Sequence, residues 1–307
     1  MTVAGRLRRA LAALLRDEDA GEAKALRRAR AAARVEERAA RQDRRRRDLA
    51  SLSTSGEATV RLDYTRHEIR LLASSTMERE WRAQSCAKEP WTVAWIEESM
   101  RTGGVLYDIG ANTGAFSLIA AKVAGAHGTV VAFEPGYASF AHLCDNIVLN
   151  GCQDAIVPVS LALGSVTGLG TFAYRTLHPG QSRHDFTERP WSRRTSTKSG
   201  RYHQPILSMT LDRAVELFTL PLPSCLKLDV DGGEANVLRG AAMTLASPQL
   251  RTILIEIDDA LTDEVTSLLA GSGFVLEQKH KRVHTEQTQV WYGVFTRRPV
   301  KGHPTEP

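Results

Sequence analysis

An apolar run broken by a glycine turn is the feature that most constrains the fold. Val105 to Asp108 reads as a short buried strand, and Asp108-Ile109-Gly110-Ala111-Asn112-Thr113-Gly114 follows at once. A helical pattern runs from Ala115 to Val123. Strand, glycine turn and helix together open a βαβ unit, in which the free N–H groups at the helix start can face a ligand. The alternation persists. Strands are expected at Thr129 to Phe133, Ile156 to Leu163, Cys225 to Val230 and Thr252 to Ile257. Helices are expected at Trp91 to Met100, Tyr137 to Leu149, Thr210 to Phe218, Glu234 to Leu245 and Thr262 to Leu269. Phe274 to Gln278 and Gln289 to Phe295 look like a closing antiparallel hairpin. Strands alternating with helices predict right-handed crossovers and an α/β, doubly wound, mostly parallel sheet. Residues 58–300 form that domain, behind an arm and linker at 1–57. The long polar stretch 176–204 is expected to be a functional loop.

The ligand can be narrowed from the residues themselves. Glu134 ends the second strand, 24 residues after Gly110, and Pro135 follows it. An acid placed there accepts hydrogen bonds from the hydroxyls of a ribose. A dinucleotide fingerprint has a second glycine that clears space for a pyrophosphate. Here that position is Asn112. Asp108 beside the turn would repel phosphates, yet suits an amino-acid ammonium. S-adenosylmethionine combines a ribose and an ammonium with no phosphate. Asp108, Gly110, Asn112, Gly114, Glu134 and Pro135 are therefore the candidate cofactor residues.

At these positions the chain resembles the FkbM-type methyltransferases, within the class I S-adenosylmethionine-dependent enzymes. The resemblance runs from about residue 103 to about 260. It rests on DIGANTG (108–114), FEP (133–135), NIVLNG (146–151) and LKLDVDGGEANVLRGA (226–241). It implies a Rossmann-like, seven-stranded sheet whose last strand is antiparallel. It also implies methyl transfer to oxygen, often a hydroxyl of a sugar or secondary metabolite. By the same analogy Ala162 lies near the adenine. The basic arm is not part of the family pattern.

Methyl transfer is an in-line displacement in which positioning supplies much of the catalysis, and an alcohol nucleophile must also lose its proton. Asp229 and Asp231 lie at the carboxyl end of their strand, where open sheets bind ligands. They and His184, from the polar stretch, are the candidate catalytic residues, and Asp229 also neighbours the cofactor. The run from Asp229 to Glu234 is not a calcium loop of the EF-hand type, because its sixth position is Glu234 and its twelfth is Gly240. Glu234 serves equally as a helix cap or a site residue. Asn146 and Asn150 suit capping and loop hydrogen bonds. Asp229, Asp231, Glu256 and Asp258 offer carboxylates to a divalent ion, but their linear spacing defines no metal site, so none is assigned.

The arm holds 15 Lys+Arg against 8 Asp+Glu in residues 1–50, whereas the whole chain holds 40 against 35. The remainder is slightly acidic, unlike a body that grips nucleic acid along its surface. The arm is expected to form one or two helices that pack on the body or pair two copies of the chain. Nucleic-acid contact by the arm is the weaker expectation. The four cysteines form no CxxC pair, no apolar run is long enough to span a bilayer, and the apolar patch Leu11 to Leu15 is too short for a signal peptide. A cytoplasmic protein acting on a small-molecule or glycoside acceptor is expected. The alternative is an RNA or protein methyltransferase that docks its substrate through the arm. Intact acids at 108, 134 and 229 argue against a degenerate, non-catalytic scaffold.

Overall fold

A computed structural model describes residues 58–181, 184–188, 202–281 and 289–298, with Ala32, Ala33 and Glu36. The chain divides into two compact units, residues 1–55 and 56–307. The three described residues of the first unit are helical. The expectations for the arm, including self-association and nucleic-acid contact, lie outside the described residues.

The strands are β1 (Thr59–Arg61), β2 (Arg70–Leu72), β3 (Gly104–Ile109), β4 (Gly128–Phe133), β5 (Ile156–Val159), β6 (Ala162–Leu163), β7 (Gly168–Tyr174), β8 (Asp185–Thr187), β9 (Tyr202–Met209), β10 (Cys225–Leu228), β11 (Thr252–Asp258), β12 (Phe274–His280) and β13 (Val290–Arg297). The longer helices are α1 (Pro90–Met100), α2 (Ala115–Ala124), α3 (Tyr137–Leu149), α4 (Leu211–Phe218), α5 (Glu234–Arg239) and α6 (Thr262–Gly271). The main sheet has seven strands in the order β12-β13-β11-β10-β3-β4-β5. Six point the same way, and β13 lies antiparallel between β11 and β12. This is a doubly wound, Rossmann-like sheet with one antiparallel strand near its edge.

Chain order reverses between β3 and β10. From β3 the sheet grows one way through β4 and β5 and the other way through β10 and β11. At such a switch point the two sets of loops part, leaving a crevice beyond the strand ends. Alternation along each strand sorts the core. Leu106, Val130, Ala132 and Leu254 face a cluster that includes Leu118 and Leu143 of α2 and α3. Tyr107, Val131, Leu226 and Ile253 face the other cluster, with Ala214, Val237 and Leu269 of α4, α5 and α6. Both faces are covered, as a parallel sheet requires.

Three sequence-based expectations need correction. Ile156 to Leu163 is not one strand: β5 belongs to the main sheet and β6 to a separate four-stranded sheet, β6-β9-β7-β8. Only Ser160 interrupts the apolar run between Val159 and Leu161, too slight a mark to signal a change of sheet. The polar stretch 176–204 is not wholly a loop, because β8 lies inside it and β9 begins at Tyr202. The expected helix from Glu234 to Leu245 breaks at Gly240 into α5 and a second short helix, Ala242–Ala246. A Cβ on Gly240 would lie 2.1 Å from the Gly164 carbonyl oxygen, so close backbone approach explains the glycine.

A buried ion pair joins two central strands of the sheet. Lys227 of β10 is 2% exposed and stands in register with Asp108 of β3, which is 1% exposed. Their Nζ and Oδ1 atoms are 3.2 Å apart. Ser117 of α2 donates to Asp108 Oδ2 at 2.6 Å. Asp229 Oδ2 lies 3.7 Å from the same ammonium. Removing one member of such a pair strands the other charge in the interior. Lys227→Met is therefore expected to cost about 3–5 kcal/mol of stability, read from the denaturant midpoint. A midpoint equal to that of the natural chain would show that the pair carries no such role.

Candidate active site

A cleft of about 750 Å³ opens over the carboxyl ends of β3, β4, β10 and β11. Gly110, Asn112, Glu134, Pro135, Ala162 and Asp229 line it, as do Asp231 and His184. The fold thus brings most of the residues singled out in the sequence to one crevice. Asp108 and Gly114 are not among the lining residues. Asp108 is 1% exposed, with Lys227 and Ser117 on its carboxylate. Gly114 precedes α2 with φ +90°, and a Cβ there would strike Leu143 Cδ1 at 2.6 Å. Its role is packing.

The glycine turn and Glu134 build one another. Gly110 has φ +84°, and a Cβ on it would lie 1.8 Å from the Asp229 carbonyl oxygen. The turn therefore presses against the end of β10, and a side chain at this position is excluded. Asn112 is also left-handed, at φ 52°. Its N–H donates to Glu134 Oε2 at 2.8 Å, while Gly136 N–H donates to Oε1 at 2.7 Å. Its side-chain amide donates to the Gln181 carbonyl at 2.7 Å. Two backbone donors thus fix the Glu134 carboxylate at the cleft wall, where it can accept from a diol.

Burial pushes Glu134 up to about 7, and the Gly136 and Asn112 N–H groups oppose that rise. Burial likewise raises Glu234 to about 7. Glu234 organises the strand-end turn: its Oε1 accepts from Val230 N–H at 3.1 Å and Gly232 N–H at 3.2 Å. That turn carries Asp231 at φ 58° and Gly232 at φ 104°. Glu234 therefore holds the loop that presents Asp229 and Asp231, while the start of α5 carries no side-chain cap. Asn146 and Asn150 are structural. Asn146 accepts from Leu72 N–H and donates to the Thr113 carbonyl, and Asn150 pairs with both backbone groups of Arg70.

His184 lines the cleft beside Phe172 and Tyr174, at ring separations of 5.4 and 5.1 Å. Burial lowers its proton affinity, and Arg175 lowers it further. Its Nδ1 accepts from Arg175 N–H at 3.3 Å. A neutral ring that accepts at Nδ1 carries its hydrogen on Nε2. In this arrangement His184 can donate a hydrogen bond to an acceptor molecule, but it offers no unengaged lone pair to take a proton.

Glu256 was weighed in the sequence only as one of four scattered acids. In the structure it joins the cleft, and carboxylate oxygens of Asp229, Asp231 and Glu256 all lie within 4.8 Å of one another. Tyr292 donates to Glu256 Oε1 at 2.9 Å. Linear spacing hid this set because β10 and β11 are adjacent in the sheet while α5 separates them in sequence. An all-oxygen set of this kind suits a hard divalent cation, or a shared hydroxyl proton. Met77, Trp81 and Arg82 also line the cleft. They come from the lead-in, where no motif marked them.

The raised carboxyl of Glu134 has a direct consequence for stability. The folded chain keeps a proton that the unfolded chain releases above its ordinary value of 4.5. Stability therefore falls as pH rises from about 4.5 to about 7, and the penalty is fully present above that window. Glu134→Gln should flatten this slope by on the order of 1–3 kcal/mol across the window. The amide keeps only one acceptor for two N–H donors, so the slope is the readout rather than the absolute stability. A slope unchanged from the natural chain would remove Glu134 as its source.

The family model described as the methyltransferase FkbM domain matches residues 108–276. The hexuronic acid methyltransferase AglP of Haloferax volcanii is 28% identical over 196 residues, which cover 64% of this chain and 73% of that protein. Among solved structures, M. jannaschii TYW2 in complex with AdoMet is 12% identical, with a TM-score of 0.42 over 80% of this chain and 89% of that one. The precorrin-6y C5,15-methyltransferase of Geobacter metallireducens is 13% identical, with a TM-score of 0.39 over 67% and 86%. No helix among the described residues is long and apolar enough to cross a membrane.

Proposed function

Starting from the premise that the chain belongs to the FkbM methyltransferase family and is a methyltransferase, we propose that it transfers the methyl group of S-adenosylmethionine to a hydroxyl oxygen of a sugar or a small glycoside. One observation carries the cofactor: Glu134, held by two backbone N–H groups at the end of β4, faces the cleft beside the glycine turn. Such a carboxylate binds both ribose hydroxyls, and Asn112 occupies the place a pyrophosphate would need. Ala162 and Pro135 line the same region and suit the adenine side. The acceptor class draws on the hexuronic acid methyltransferase relative.

S-adenosylmethionine would supply the electrophilic methyl, and the chain aligns the acceptor with it. Asp229, Asp231 and Glu256 stand at the strand ends. One of these carboxylates takes the acceptor's hydroxyl proton as its oxygen attacks, and His184 donates to a neighbouring acceptor oxygen. The same three acids would hold a divalent cation, which would lower the pKa of the hydroxyl. Activity that survives a chelator would assign the proton to a carboxylate alone; activity lost to the chelator and restored by added Mg²⁺ or Mn²⁺ would assign the acids to a metal.

Calorimetry with S-adenosylhomocysteine and NAD tests the cofactor, and the expected result is binding of the first only. Isotopically labelled methyl transfer to a glycoside panel then tests the chemistry. The product is expected to be an alkali-stable methyl ether. Asp231→Asn should lower turnover by about 10²-fold or more, the scale of a lost proton acceptor, with S-adenosylhomocysteine affinity nearly unchanged. Binding of NAD in place of S-adenosylhomocysteine would end the reading.

A further inference from the structure

The family match begins at residue 108, yet three residues that line the cleft precede it: Met77, Trp81 and Arg82. They share one wide turn. Met77–Trp81 is a π-helical turn, closed by the Arg82 N–H bond to the Met77 carbonyl, five residues back. Turns of this kind are uncommon and recur at functional sites. The turn directs residues 77, 81 and 82 into the cleft, while Arg79 and Glu80 face solvent and Glu78 is buried.

The turn is anchored more firmly than its surface position suggests. Glu78 is fully buried, and its Oε1 lies 2.5 Å from His142 Nδ1 of α3. Its Oε2 accepts from Ser74 Oγ, Ser75 N–H and Ser75 Oγ. The hydrogen bonds to His142 and to the serines hold its carboxyl below the ordinary range against the effect of burial. The Ser75 hydroxyl lies equally close to the Pro179 carbonyl, an alternative acceptor for its one hydrogen, and Arg82 Nε donates to the Gly180 carbonyl at 2.7 Å. Arg82 is thus oriented edge-on by backbone.

The chemistry exposed by this turn is specific. Trp81 remains 38% exposed although it lines a cleft, and the Lys88 ammonium covers one face of its ring at 3.7 Å. An accessible indole is a platform for the apolar C–H face of a pyranose. Arg82 and Arg175 both lie near enough to His184 to depress its proton affinity. Arg82 and Arg175, from separate elements, both line the cleft that His184 also lines, and the acids at positions 229, 231 and 256 come from the strand ends. A guanidinium matches a carboxylate in planar, two-point geometry.

We propose that Trp81 and Arg82, together with Arg175, form the acceptor subsite and select a pyranose that carries a carboxylate, stacked on the indole with its charge on the arginines. The carboxylate is held rather than methylated, and the reacting hydroxyl lies toward the strand-end acids. The proposal rests on the methyl-transfer reading above and names the substrate class of that site.

The test uses the full-length chain saturated with S-adenosylhomocysteine, titrated with 4-nitrophenyl β-D-glucuronide and 4-nitrophenyl β-D-glucoside by calorimetry. The glucuronide is expected to bind about tenfold or more tightly than the glucoside, the range of a charge-assisted hydrogen-bond pair. Trp81→Ala should weaken both probes by about tenfold, as loss of a buried aromatic anchor does. Trp81→Phe should restore most of that loss. Arg82→Lys should reduce the preference for glucuronide while sparing the glucoside. S-adenosylhomocysteine affinity and melting temperature confirm that each variant is folded. Equal binding of the two probes, absence of glucuronide binding, or unchanged affinities in Trp81→Ala would overturn the proposal. If S-adenosylhomocysteine itself fails to bind the natural chain, the methyl-transfer reading falls. If it binds and the glucuronide shows no preference, the acceptor assignment alone falls.

Discussion

The ion pair between Lys227 and Asp108 sets the terms for everything above it. It crosses the two central strands at the point where the sheet changes direction, in register and almost wholly enclosed. A charge inside a sheet is tolerated only when it is paired and hydrogen-bonded. Here Ser117 completes the Asp108 carboxylate, and Asp229 extends the network to the cleft. The lysine thereby ties β3, β10, the start of α2 and one active-site acid into a single electrostatic unit. Asp108 looked in the sequence like a ligand residue, but its chemistry is directed inward.

The backbone performs a similar service on the other side of β3. The turn after that strand cannot relax, because Gly110 presses on the end of β10 and Asn112 is held in a left-handed conformation with its N–H on Glu134. The carboxylate of Glu134 therefore has its position set by peptide groups rather than by flexible side chains. Preorganisation of this kind lowers the entropic cost of binding, since the acceptor atoms are already ordered before the ligand arrives.

Much of this was legible in the sequence, for a physical reason. Parallel strands covered on both faces write continuous apolar runs, and glycines mark close backbone approaches; both survive in a linear reading. Asp229, Asp231 and Glu134 could be placed at strand ends from alternation alone. Glu256 could not be assigned, because its neighbours in space are neighbours only through sheet order. The second sheet was also missed, since β7 carries Gly168 and Gly170 and buries five consecutive residues without alternation. Trp81 and Arg82 gave no signal, because a single π turn has no sequence period and their significance depends on Glu78 finding His142 across 64 residues.

The π turn at Met77–Trp81 also bears on how such a protein can change. The groups expected to meet the cofactor sit on strands and turns locked by the central sheet, where even one methyl group is barred. The wall supplied by the lead-in is instead fastened by a few side chains to α3 and to residues 179–180. Substitutions there alter what is recognised without disturbing the scaffold that performs the transfer. The architecture thus separates a tightly locked scaffold from a wall held by few contacts, and on the proposed reading a new acceptor could be acquired by redrawing one short turn.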